Sequence, residues 1–110
     1  MGTQAIKFNM MSPSFSLSFE GTETDDQWNA LPDSVNGLNL YEVMQGVTIT
    51  HMNGYYTAGG AMVRVRNTQT NKVKLLEALH MVGGQRPFPV KPFKVEMYDV
   101  LEVFPTVAGS

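Results

Sequence analysis

A chain of 110 residues holds one domain with one core and is too short for two ordinary ones. It is 43% hydrophobic, enough for a packed core, but only 16% charged against about 25% in a typical soluble domain, with net charge −2 and no cysteine. These totals exclude disulfides, thiol nucleophiles and cysteine-ligated zinc or iron–sulfur centres, and they give no global basic field for nucleic acid.

The charge is uneven. Residues 1–46 carry one base (Lys7) and six acids (Glu20, Glu23, Asp25, Asp26, Asp33, Glu42), and residues 47–110 carry seven bases and four acids. Two such halves attract each other within a domain or pair between subunits. No apolar run reaches the length of a membrane-spanning helix. The stretch MGTQAIKFNMM lacks the basic and apolar regions of a signal peptide, and Ile6 stands where N-myristoylation wants Ser or Thr. A cytoplasmic or virion location is the expectation.

Ile6, Phe8 and Met10 alternate with Lys7 and Asn9, which predicts a short strand. In SFSLSFE, Phe15, Leu17 and Phe19 share one face, and Ser14, Ser16, Ser18 and Glu20 share the other. This predicts a strand with one buried and one wet side. TDDQWNALP reads as a short helix over 24–31, with Thr24 and Gln27 at capping-box spacing, acids in the first turn and Pro32 as the stop. NLYEVMQG reads as a second, over 39–45, with Asn39 and Glu42 at cap-box spacing and Gly46 at the C-terminal cap. Both are so short that only tertiary packing can hold them.

VTITHM and YYTA read as strands joined by a tight Asn53–Gly54 turn. AMVRVR continues as a strand, with Ala61, Val63 and Val65 opposite Arg64 and Arg66. Residues 72–82 are ambiguous. LLEALHM favours helix by propensity, whereas the context VRVRNTQTNKVKL favours a hairpin, and the hairpin is preferred at the start of the segment. RPFPVKPF, with its prolines, reads as an extended connector or contact arm, and FKVEMYDVLEVF as a long last strand bulged near Tyr98–Asp99. Residues 1–4 and 105–110 read as loose tails of a single domain spanning 1–110.

Five groups of residues invite a chemical reading. Both histidines precede a methionine, His51–Met52 and His80–Met81, and imidazole with thioether suits copper. On a strand, however, adjacent side chains face opposite ways, so one ion cannot take both, and no metal site is assigned. Asp99 among apolar residues is the carboxylate most open to a perturbed pKa, but no nucleophile-elbow pattern surrounds any Ser and no catalytic residue is assigned. The glycine pairs Gly59–Gly60 and Gly83–Gly84 lack the strand–turn–helix setting of a phosphate loop. Arg64, Arg66, Lys72, Lys74, Arg86, Lys91 and Lys94 lie near Tyr55, Tyr56, Phe88 and Phe93 in sequence, a mixture that can bind single strands, but the overall acidity and missing signature motifs argue against nucleic acid. Arg86, Pro89 and Pro92 match the spacing that SH3 domains read, a short pattern common by chance.

The sequence therefore predicts a β-dominated α+β domain: five to seven antiparallel strands in a sandwich or barrel-like sheet with two short helices. Its core is expected to include Phe15, Leu17, Phe19, Trp28, Leu40, Val47, Ile49, Val63, Val65, Phe93, Val95 and Met97. The leading functional expectation is a non-enzymatic structural protein that forms a homo-oligomer or part of a larger assembly, such as a virion or tail component. Its partners are copies of itself and other assembly proteins, with no cofactor, and its contact arm is Arg86, Pro87, Phe88, Pro89 and Pro92. The alternative is a small-molecule binder in which Tyr55, Tyr56, Arg64, Arg66, Arg86, Phe88 and Phe93 recognise an anionic or aromatic ligand such as a nucleotide.

Overall fold

The computed structural model describes residues 3–56, 60–79 and 86–106. In chain order the elements are β1 (Thr3–Met11), β2 (Ser16–Thr24), β3 (Asn29–Ala30), α1 (Leu40–Met44), β4 (Thr48–Tyr56), β5 (Gly60–Asn67), β6 (Val73–Leu79), β7 (Phe88–Lys94) and β8 (Asp99–Thr106). They form two antiparallel four-stranded sheets, ordered β2-β1-β4-β7 and β3-β8-β5-β6. The pairs β3 with β8, β4 with β7 and β5 with β6 are nested. They are a long antiparallel ribbon rolled over two sheets, which is the jelly-roll pattern. The next pair out would join β2 to a strand after β8, and β1 takes that place.

Alternation decides the inner layer. Ile6, Phe8 and Met10 of β1, Phe19 of β2, Ile49 and Met52 of β4, Val63 and Val65 of β5, and Leu101 and Val103 of β8 are buried between the sheets. Leu40 and Met44 of α1 close one end of this core. One long side is sealed by backbone. Leu31 N–H donates to Leu101 O at 2.9 Å, Glu20 N–H donates to Pro32 O at 3.1 Å and Ser34 N–H donates to Ser18 O at 2.8 Å. Residues 29–34 thus leave the edge of one sheet and join the edge of the other. On the opposite side Lys74 Nζ, on β6, donates to Lys94 O of β7 at 3.0 Å. The β-dominated antiparallel domain expected from the sequence is observed, and of the sandwich and the barrel-like sheet it is the two-sheet sandwich.

Several details differ from the sequence-based expectation. Strands number eight rather than five to seven, and only one helix is present among the described residues. Residues 24–31 are not helical. Asp26 adopts φ 61°, and Asn29 Nδ2 donates to Thr24 O and Gln27 O, each at 2.9 Å. The side chain so satisfies a turn, and Asn29–Ala30 then pairs with β8. The second helix is present as Leu40–Met44, with Glu42 Oε1 accepting from Asn39 N–H at 2.9 Å and Gly46 at φ 86°.

Asn53–Gly54 is not a turn but the middle of β4. Gly54 lies opposite Phe8, and a Cβ there would clash with the Phe8 ring. Pairing with β1 places the Phe8 ring over the glycine, and this long-range packing overrides the local turn preference. The last long strand is really two. Tyr98, at φ 73°, turns the chain from one sheet to the other, so the expected bulge is a full corner. Residues 73–79 are strand, hairpinned to β5, which settles that segment through Leu79. Two expected core residues are exposed, Phe15 and Met97, because they fall in the loops before β2 and at the corner; Trp28 is half-buried on an outer face. The strands also reach into both expected tails, since β1 begins at Thr3 and β8 runs to Thr106. No helix among the described residues is long and apolar enough to cross a membrane.

Candidate interaction surfaces

The topology sorts the loops into two rims. One rim carries the β1–β2 loop, the stretch from β3 through α1 to β4, the β5–β6 loop and the β7–β8 corner. Seven large apolar side chains are exposed among the described residues, and six belong to this rim: Phe15, Val35, Leu38, Val73, Met97 and Tyr98. Val35 is 81% exposed. Isolated exposed apolar residues are ordinary, but several gathered on one end of a small domain are not. The loops themselves are well tied. Asp33 accepts from the backbone N–H groups of Asn36, Leu38 and Val35, and the Asn36 and Leu38 bonds hold its carboxyl below the usual range despite desolvation. Tyr41 and Tyr98 meet at 5.5 Å between ring centroids, which links α1 to the corner.

Asp99 pins the same rim. It is fully buried, accepts from Glu96 N–H at 2.7 Å and from Asn67 Nδ2 at 3.0 Å, and pairs with Lys74 Nζ at 2.7 Å. Lys74 also pairs with Glu96. Burial works against the Lys74 charge, but Asp99 and Glu96 outweigh it and hold the ammonium above the ordinary lysine range. Asp99 is thereby a corner pin: its oxygens are taken by backbone, amide and ammonium.

A second cluster covers the outer face of the β8 sheet. Glu102 Oε1 accepts from Arg64 Nε at 2.8 Å and Arg66 Nε at 2.9 Å, and Oε2 accepts from Arg66 Nη2 at 3.1 Å. The Arg64 guanidinium lies 3.8 Å from the Trp28 ring centroid, and Trp28 meets Phe104 edge-on at 5.5 Å. Burial raises the Glu102 pKa, but the bonds and charges of Arg66 and Arg64 outweigh it and leave the carboxyl below its usual range. The outer face of the other sheet is polar: Asn9 Nδ2 donates to Asn53 Oδ1 at 2.8 Å, Ser18 Oγ donates to Asn9 Oδ1, and Lys7 lies opposite Glu20.

Between the free edges of β6 and β7 runs a cleft of about 340 Å³ lined by Lys72, Lys74, Lys91 and Lys94 with Phe93 and Glu96. Lys72, Lys91 and Lys94 are exposed. On the far side of the sandwich, β2 and the turn after it carry Glu20, Glu23, Asp25 and Asp26, with Asp33 just beyond β3. Glu23 has its pKa raised by burial.

The residues expected to form one ligand site are dispersed. Arg64 and Arg66 are occupied by Glu102 on one sheet, whereas Tyr55 and Tyr56 belong to β4 of the other. Phe88 and Phe93 pack against the core, and Arg86 is exposed before β7. The expected contact arm is largely an edge strand. From Phe88 onward the segment pairs with β4 and buries Val90, and Pro89 and Pro92 lack the N–H that a central strand would need. His51 is exposed while its neighbour Met52 is buried; His80 and Met81 lie outside the described residues, as do Gly59, Gly83 and Gly84. Among the described residues no group of His, Asp and Glu is arranged to hold a metal ion.

Sequence reasoning missed the apolar rim, because it placed Phe15 and Met97 in the core and gave Val35 and Leu38 no role. It also missed the lysine cleft as a unit, since β6 and β7 meet only through the roll of the ribbon. No family model, curated protein or solved structure matches the chain.

Proposed function

We propose that the protein is a non-catalytic structural subunit that assembles with copies of itself and with other components of a larger particle. The observation that carries this reading is the apolar rim: Val35 and Leu38 project from a loop tied by Asp33, Met97 and Tyr98 from the corner tied by Asp99, Phe15 from a turn bonded to Ser12, and Val73 from the start of β6. A preordered apolar surface binds without the cost of ordering loops. The polar outer face of the β1 sheet remains suited to water.

The test is light scattering on the purified chain across a concentration series, with Val35→Glu/Met97→Glu as a paired variant. Association that weakens by about tenfold or more in the variant, at unchanged circular dichroism, supports the reading. A wild-type chain that stays monomeric at high micromolar concentration overturns it.

A second reading has its own observation. The lysine cleft could take a small anionic ligand, its cations supplied by Lys72, Lys91 and Lys94 and an apolar wall by Phe93. Calorimetric titration with inorganic phosphate and with a nucleoside triphosphate checks it, and no heat of binding from either removes it.

A further inference from the structure

The charge asymmetry of the sequence becomes a geometric one in the fold. Along the side where β2 and β3 form the edges, Glu20 and Asp26 are exposed and Glu23 is half-buried, whereas Asp25 and Asp33 are buried; the nearest base is Lys7, opposite Glu20 on β1. Lys72, Arg86, Lys91 and Lys94 lie exposed along the opposite side, where β6 and β7 form the edges, beside Glu77 and Glu96; Lys74, on the same side, is already paired with Asp99 and Glu96. The two sides are separated by the full width of the four-stranded sheets. Within one molecule they cannot neutralise each other, because the β1–β4 and β8–β5 strands stand between them.

We propose that the lysine edge of one copy receives the acidic edge of the next. This rests on the reading of the protein as an assembly subunit and names the contact. The occupant is a second copy because the complementary charge is on the same chain. A carboxylate-bearing edge also fits the cleft better than a strand does. Pro89 and Pro92 remove two backbone donors from β7, and edge lysines of this kind block strand addition. The contact is therefore between side chains, ionic and sensitive to salt. Its two halves are different surfaces on opposite sides of the subunit, so it is head-to-tail. Such a contact closes into a ring or continues as a filament.

Paired charge inversion tests it. Lys91→Glu/Lys94→Glu reverses one edge at exposed positions, and Glu20→Lys/Thr22→Lys reverses the other. Asp26 is left alone because its backbone is left-handed, a conformation that Asp tolerates better than Lys. Sedimentation velocity of the full chain at low and high salt gives the readout, with circular dichroism showing that each variant folds. The expected result has three parts: wild type associates at low salt and dissociates as salt rises; each variant alone loses association by about tenfold or more; an equimolar mixture of the two regains it. Variants that associate like wild type overturn the proposed contact while leaving the subunit reading in place. So does loss in the lysine variant alone, which would assign the lysines to some other anion. A wild-type chain and a mixture that both remain monomeric overturn contact and reading together.

Discussion

Asp99 and Glu102 lie on the same strand, both are nearly removed from water, and each is hydrogen-bonded to several groups, yet they hold different things. The partners of Asp99 come from three places: the corner at Glu96, the end of β5 at Asn67 and β6 at Lys74. Those of Glu102 are Arg64 and Arg66, both on the adjacent strand β5. One carboxylate ties distant chain segments to a turn. The other tiles the outer face of a finished sheet, with Trp28 stacked on top. A buried charge thus contributes according to where its partners come from, more than by their number.

Removing each carboxylate breaks the comparison most directly. Asp99→Ala leaves Lys74 with Glu96 as its remaining carboxylate, frees the donors of Asn67 and Glu96 and opens the corner, and is expected to cost about 3–5 kcal/mol in denaturant unfolding, with Asp99→Asn milder. Gly54→Ala serves as an uncharged reference. It forces a methyl against the Phe8 ring, and a loss of about 1–3 kcal/mol that is the same at every pH is expected. Glu102→Gln leaves two arginines that still reach water, so a smaller loss of about 1–2 kcal/mol is expected. If Glu102→Gln proves costlier than Asp99→Ala, the distinction between pin and tile is wrong.

The pH dependence sharpens it further. The folded Glu102 carboxyl titrates below its unfolded value. Its contribution is therefore complete above the unfolded pKa and fades as pH falls through the folded one. The stability gap between wild type and Glu102→Gln should close on the acid side. Lys74 is shifted upward, so its contribution is complete below the ordinary lysine value and is lost as pH rises through the raised one. A Lys74→Met variant should converge with wild type at alkaline pH, the smallest of these effects because few proteins remain folded long enough to show all of it. Urea titrations at stepped pH measure both.

Period-two alternation makes β1, β2 and β5 readable from the sequence alone, and the Asn39–Glu42 spacing with Gly46 makes α1 readable, because these are local devices. The lost features depend on distant partners. Asn53–Gly54 carries a turn signature, but Phe8 needs a residue with no side chain opposite it. Thr24 to Leu31 carries helix-capping signals, but Asn29 spends its amide on the turn and β8 claims the next backbone groups. The basic residues were visible as a list. Only the roll of the sheets divides them into two arginines committed to Glu102 and a lysine edge facing outward.

The placement of β1 has a consequence for how the chain could be cut and rejoined. Thr3 pairs with Thr24, Asp26 N–H donates to Pro105 O at 2.9 Å, and Gly60 N–H donates to Thr106 Oγ1 at 3.1 Å. The first and last described strands therefore meet on one rim. Joining Thr106 to Thr3 through a short linker and opening the chain in the loop at Ser12–Phe15 would make β1 the final strand. That circular permutant would carry the nested ribbon without interruption, and it should fold to the same two sheets.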